Sequence, residues 1–371
     1  MEGIYLDYAA TTPLTNEVKS YVISLLDNFY NPSSAYQSGV DAKRIIEQSR
    51  HNVAKFINAN DEDIIFTSGG SASNTLAIRG YTERNNCIVY YSPLLHKSAL
   101  SYLGSGYTFN QKLPVDKYGF IDVQFLAYEM NSMKFKPFVV IEYASSELGT
   151  IQPVKEIIDL VHKWNGVVYL DCTGSISTIP INVKELDIDM LGFSGHKLGA
   201  LKGCGVLYKK PEIDLEPLIY GAQERGLFAG TENVIGIAAM GKAVENYNYS
   251  SISSESRDYV YDYLLYNVPR CYLVGAPFEK RLPHNLYMCF QGVSGEALMT
   301  LLDLNGIMVS TGSACNSGSP TPSATLTAIG MDDNDINSCI RLTFSECETK
   351  DELDHVCCKL KECVETLRGI M

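Results

Sequence analysis

Residues 310–322 read STGSACNSGSPTP and set Cys315 among Ser, Thr, Gly, Asn and Pro. Such a run cannot build an apolar core, and a reactive thiol wants exposure and backbone freedom where a structural one wants apolar neighbours. Two readings stand for this loop by itself: a thiol that does chemistry, or a spare surface cysteine. A second candidate lies in FSGHKLGALKGCGVLY, where Lys197 follows small residues and precedes a glycine-rich turn that feeds a strand. An amine in a partly desolvated site forms a Schiff base with an aldehyde, the plainer alternative being a solvated loop lysine. Upstream, IIFTSGGSASNTLAI reads as strand, Gly-Gly turn and helix. That arrangement puts backbone N–H groups and hydroxyls at a helix N-terminus, where phosphate binds, unless it is an ordinary strand-to-helix turn. Asp171 closes the run VVYLD, and ligands of α/β sheets gather at the carboxyl ends of strands. A carboxylate there either pairs with a protonated pyridine nitrogen or caps a helix. Lysine, phosphate turn and strand-end Asp together are the components of a pyridoxal 5'-phosphate site.

The elements that must position these groups follow from hydrophobic periodicity. Val18, Val22, Leu25, Leu26 and Phe29 keep helical spacing after a Thr15 cap, and Ile45, Ile46, Val53 and Phe56 predict another helix. Five short apolar runs then read as buried strands: CIVYY (87–91), FVVIE (138–142), VVYLD (167–171), DMLGF (189–193) and CGVLY (204–208). Helical segments over 71–84, 95–103 and 153–164 lie between some of them. This rhythm predicts an α/β fold with a mainly parallel sheet covered on both faces. From about residue 252 the pattern becomes α+β, with strands in CYLVG, NLYMCF and CIRLTF and a final helix over 350–368. We therefore expect a large domain over 15–251 and a smaller one made of 1–14 and 252–371, divided at the polar stretch NYNYSSISSESRD.

The 371 residues carry a formal charge of -13. That disfavours nucleic acid and anionic membranes, whose phosphates call for clustered Lys and Arg, and favours small molecules or a basic protein partner. No leader pattern opens MEGIYLDYAA and no run approaches the length of a membrane span, so a cytoplasmic protein is expected. Eleven cysteines, an odd number without regular spacing, argue against a disulfide framework, and Cys357, Cys358 and Cys363 lack the companions of a metal site.

In order along the chain, IYLDYAATTPL, NPSSAYQSG, IIFTSGGSASNTLAIRG, SGHKLGALKGCGVLY, STGSACNSGS and IRLTF resemble the cysteine desulfurases of the class V aminotransferase group, nearly end to end. The resemblance implies a fold type I pyridoxal-phosphate enzyme. It makes Lys197 the Schiff-base lysine, pairs Asp171 with the pyridinium nitrogen, and stacks His96 on the ring as a proton carrier. Gly70, Ser71, Ser194 and His196 would hold the phosphate, and Thr231 would reach the phosphate of a partner subunit in a homodimer. Arg341 would bind the substrate carboxylate, with Asn31 lining the same site. The substrate implied is L-cysteine, and Cys315 would take its sulfur as a persulfide, leaving alanine. The loop length resembles the long-loop branch, whose members deliver sulfur directly to acceptor proteins.

Several positions depart from the family pattern. Ser145-Ser146-Glu147 stands for Asn-Asn-Glu, which leaves Ser146 to act near the cofactor only through a water, and Asp171-Cys172-Thr173-Gly174 stands for Asp-x-x-Gln. Ala72 replaces a Glu and Phe228 an Arg. These changes imply a drier, less polar pocket and fewer hydrogen bonds to the cofactor, each worth about 1–3 kcal/mol. Alternatives to desulfuration are another pyridoxal-phosphate lyase, a selenocysteine-directed reaction, and a non-catalytic dimer that holds the cofactor weakly. Keeping Lys197, Asp171, His96, Cys315 and Arg341 favours desulfuration, because a scaffold needs none of them.

Overall fold

The computed structural model describes residues 3–106, 109–131, 135–249, 252–312, 323–345 and 347–370. Its centre is a seven-stranded sheet in the order β2-β8-β7-β6-β5-β3-β4, built from β2 (Ile64–Thr67), β3 (Cys87–Tyr91), β4 (Asn110–Lys112), β5 (Lys136–Glu142), β6 (Val167–Asp171), β7 (Met190–Ser194) and β8 (Gly205–Lys209). All neighbouring pairs are parallel except those of β8, which runs antiparallel to both β2 and β7. The expected mainly parallel α/β sheet is therefore present. The apolar runs are continuous because both faces are covered. On one face α3 (Gly70–Arg84) and α4 (Lys97–Leu103) bury Leu76, Tyr81 and Leu103 against Phe138, Val140 and Tyr169. On the other, α2 (Gln37–Phe56) and the helices Val154–Lys163 and Val234–Glu245 pack Ile46, Val53, Ile157, Val161 and Met240 against Val139, Ile141 and Leu170.

Helix α1 (Asn16–Leu25) is capped as expected by Thr15, whose Oγ accepts from the Val18 N–H at 3.2 Å. It ends earlier than its periodicity predicts. Only Val18 is buried, while Leu26 and Phe29 lie beyond the helix and are 60% and 82% exposed. Val18 and Val22 pack on the core, whereas the later apolar residues of this stripe lie on the surface.

A second sheet, antiparallel in the order β12-β10-β9, joins β9 (Cys271–Leu273), β10 (Asn285–Phe290) and β12 (Cys339–Thr343). Helices Glu255–Asn267, Gly295–Leu304 and Lys350–Ile370 build its core with Leu286, Met288, Ile340 and Leu342. Leu6 from the start of the chain lies in this core too, because β1 (Ile4–Tyr5) pairs in parallel with β11 (Ile307–Met308). The same N-terminal segment then crosses to the large sheet. Thr12 donates to the His196 carbonyl through both N–H and Oγ, and Thr12 Oγ accepts from the Gly199 N–H.

The ten cysteines among the described residues are free thiols. Among those residues no helix is long and apolar enough to cross a membrane.

Candidate active site

Strand geometry brings the first group of predicted residues together. Asp171 ends β6 and Ser194 ends β7, two adjacent parallel strands, so both sit at the carboxyl edge of the sheet. Helix α3 begins at the same edge. Its N-terminus has neither a side-chain cap nor an acidic residue in the first turn, which leaves its positive dipole end and leading N–H groups facing outward. The backbone here is crowded enough to demand glycine. A Cβ on Gly70 would stand 2.8 Å from Thr173 Oγ1 and 3.7 Å from Ser194 Cβ, and one on Gly205 would lie 2.5 Å from the Gly69 carbonyl carbon. Gly69 itself adopts φ +149°, a conformation that side chains disfavour. Ser71 lies exposed in the first turn of α3, while Ser194 is buried. An uncapped helix N-terminus with hydroxyls beside it suits an anion.

His196 borders it half-buried, with Nδ1 3.1 Å from Thr11 Oγ1. Burial, reinforced by the positive charges of Lys197 and Lys202, lowers its pKa to about 4, so the imidazole is neutral near pH 7. Next to it, Lys197 Nζ donates to the carbonyl of Ala9, and to that of Ala10 at 2.8 Å. The N-terminal segment thus receives the lysine.

Asp171 is 5% exposed and fixed through both oxygens. Oδ1 accepts from the Thr173 N–H at 3.0 Å and Oδ2 from Asn74 Nδ2 at 2.8 Å. Each oxygen keeps a lone pair for a further donor. Its neighbour in register is Glu142 on β5, a second buried carboxyl at the same sheet edge. Glu142 Oε1 accepts from Gln152 Nε2 at 2.8 Å, whereas Oε2 has no hydrogen-bond partner among the described residues. Desolvation pushes this carboxyl up to about 7. His96 is the N-cap of α4 and accepts from the Ser98 N–H through Nδ1 at 3.2 Å.

Arg341 projects from β12. Its Nη2 donates to Asp7 Oδ1 at 2.7 Å and its Nη1 to the Ser146 carbonyl at 3.1 Å, while the buried Nε has no partner among the described residues. Ser146 thus contributes its backbone rather than its hydroxyl. Ser146 and Gly174 lie side by side, a Cβ on Gly174 standing 3.1 Å from Ser146 Cβ, so the two amides missing from the family pattern are lost from one spot. Glu147 next door accepts from Tyr287 OH at 2.9 Å and Ser323 Oγ at 2.6 Å, and desolvation raises its pKa.

Two further predicted residues are exposed. Asn31 is exposed before α2, its Oδ1 accepting from the Ser33 N–H at 2.8 Å, and Thr231 is exposed just ahead of helix Val234–Glu245. Cys315 lies outside the described residues. Sequence reasoning missed Asp7, Asn74 and Ser98. Asp7 alone left a signal, an acid within the otherwise apolar opening IYLDYAA.

The arrangement offers a helix N-terminus open to an anion, a carboxylate positioned for a cationic ring nitrogen, an amine, and an arginine with an unused buried donor. The aminotransferase class-V family model matches residues 4–356. The chain belongs to that family. Cysteine desulfurase IscS of Methanosarcina thermophila is 36% identical, covering 100% of this chain and 94% of its own length. Cysteine desulfurase IscS of Dictyoglomus turgidum is 37% identical, over 99% and 96%. Among solved structures, a NifS-like protein superposes with a TM-score of 0.89 at 29% identity, over 98% of this chain and all of the other. SspA in complex with cysteine gives 0.81 at 29%, over 93% of this chain and 100% of the other. Within the class-V aminotransferases the chain thus falls in the cysteine desulfurase group, and the expected fold type I architecture holds.

Proposed function

We propose that this chain converts L-cysteine to L-alanine with pyridoxal 5'-phosphate and takes the sulfur as a persulfide on Cys315. The observation that carries this reading is the convergence of the open α3 N-terminus, Asp171 and Ser194 at one edge of the sheet. The cofactor fits what is there. The uncapped α3 N-terminus, with its leading N–H groups and the nearby hydroxyls, suits a phosphate held by Gly70, Ser71, Ser194 and His196. Asp171 suits a protonated ring nitrogen, and the Lys197 amine suits an aldehyde.

Bound there, pyridoxal phosphate supplies a carbonyl for the substrate amine and a ring that delocalises the electrons left at the α-carbon. The protein's residues do the rest. Asp171 keeps the ring nitrogen protonated. Arg341 anchors the substrate carboxylate, its buried Nε being the donor still available. Lys197, whose amine would hold the aldehyde, is the group that would carry a proton at the α-carbon. Cys315 thiolate attacks the substrate sulfur, the new S–S bond forms as the C–S bond breaks, and the electron pair returns to the carbon, which is protonated to give alanine. His96 and Ser146 line the ring and Asn31 the substrate side.

We further read the molecule as a large unit over 15–251 with a small one over 1–14 and 252–371, acting as a cytoplasmic homodimer that passes sulfur to an acceptor protein. The exposed Thr231 and the exposed Ile23, Leu26 and Phe29 support a partner subunit. Incubating the cofactor-loaded protein with L-cysteine and measuring alanine together with Cys315 persulfide by mass spectrometry tests the function. Neither product, with the cofactor's absorbance still responding to other amino acids, would point to a different reaction.

A further inference from the structure

His96 is tied to Asp171 by a run of hydrogen bonds whose directions are all determined. Asp171 Oδ2 can only accept, so the group 2.8 Å from it is Asn74 Nδ2 and not Oδ1. Asn74 Oδ1 then faces Tyr169, whose hydroxyl donates to it at 2.5 Å. The second hydrogen of Nδ2 goes to Ser98 Oγ at 3.0 Å. The Ser98 backbone N–H donates to His96 Nδ1 at 3.2 Å, so that nitrogen accepts, and Ser98 Oγ, 2.8 Å from it, gives it its own proton. Two donors therefore converge on Nδ1, which must carry a lone pair and leave the ring proton on Nε2. Asn74 is 1% exposed and Tyr169 wholly buried, so water does not compete for the first half of the run.

We propose that Asn74 and Ser98 are positioning residues that lock His96 in its Nε2–H tautomer, so that the imidazole offers the substrate side a hydrogen-bond donor rather than a lone pair. The assignment rests on reading His96 as the residue beside the cofactor ring. A donor there suits an acceptor atom such as the sulfur of a substrate thiolate. It also links two functions through one amide, since Asn74 simultaneously fixes Asp171.

Long-range ¹H–¹⁵N spectra of histidine-labelled, full-length protein, without and then with pyridoxal phosphate, read the tautomer directly. Six histidines contribute, and His96→Gln identifies the resonance in question. The expected pattern is Nε2–H in both states at pH 7.5. Ser98→Ala removes the hydroxyl donor while keeping the backbone one, so it should raise the share of the other tautomer and lower kcat for L-cysteine about three- to tenfold, the size of one lost hydrogen bond, with KM little changed. Ser98→Thr should restore both readouts. An Nδ1–H or doubly protonated ring in the wild type would overturn the lock, as would a Ser98→Ala variant with unaltered tautomer and kcat. Full activity in His96→Gln would instead remove His96 from the ring site and leave the tautomer result standing.

Discussion

Arg341 Nη2 and Asp7 Oδ1 lie 2.7 Å apart although 334 positions separate them in the chain. With Nη1 on the Ser146 carbonyl, this contact fixes the guanidinium plane, while the buried Nε has no partner among the described residues. Asp7→Ala should release the arginine. A charge-assisted hydrogen bond contributes about 1.5–3 kcal/mol, so KM for L-cysteine is expected to rise at least about tenfold with a smaller change in kcat. An unchanged KM in steady-state assays would show that Arg341 needs no such support.

Lys197→Ala should leave the fold intact, because Lys197 is only half-buried and donates to the backbone carbonyls of Ala9 and Ala10. It should abolish the visible absorbance of bound cofactor and its retention through dialysis. A wild-type spectrum in this variant would displace Lys197 from its assigned role.

Cys315→Ser should bind pyridoxal phosphate and respond spectrally to L-cysteine while accumulating no protein persulfide. Sulfur release at the wild-type rate would mean that another thiol receives it.

Glu142 makes stability depend on pH. Its carboxyl is raised from 4.5 to about 7 in the folded protein, so between those values the native state holds a proton that the unfolded chain has lost. Its contribution is complete below pH 4.5 and disappears as pH rises through 7, a loss of roughly 3 kcal/mol. His196 and His284, each lowered to about 4 by burial, act in the opposite sense between pH 4 and 6.5. Comparing Glu142→Gln with wild type isolates the glutamate: urea unfolding should show the variant gaining stability relative to wild type from pH 5 to pH 8. A difference that does not vary with pH would contradict the assignment.

Glu224 receives a two-pronged ion pair from Arg50, at 2.8 and 3.0 Å, and also accepts from the Phe66 N–H at 2.7 Å. Both charged side chains are 5% exposed. Glu224→Ala would leave the buried Arg50 guanidinium with only the largely exposed Glu47 carboxylate and the Ile64 carbonyl, and a strand N–H unpaired, a cost of about 3 kcal/mol. Calorimetry should show a clear fall in Tm, and a shift of only a degree or two would argue that water reaches the pair.

The sheet was legible because its strands are short, apolar and buried on both faces: CIVYY and VVYLD match β3 and β6 residue for residue, and the other three large-sheet runs differ by one or two. Lys197, Asp171 and the Gly69-Gly70 turn were legible for a related reason, since strand ends and glycine turns mark themselves locally. What could not be read was every relationship set by distant pairing. Asp7 meets Arg341, and Asn74 meets Ser98 and Asp171, only through tertiary packing, and neither Asp nor Asn in a helix or strand announces its partner. The α1 misreading has the complementary cause. Periodicity reports an apolar stripe, and nothing in Leu26 or Phe29 says whether this chain covers it.

The N-terminal segment also sets a schedule for making the site. On a ribosome Asp7, Ala9 and Ala10 emerge well before Gly306 and Arg341, which Ile4 and Asp7 need. At about 5–20 residues per second, the opening segment waits on the order of half a minute for those partners. The large sheet can assemble meanwhile, but neither the lysine's carbonyl acceptors nor the arginine's counterion can be set by it alone. Cofactor capture in its final geometry thus waits for β12, and a nascent fragment that stops before that strand would lack Arg341 altogether.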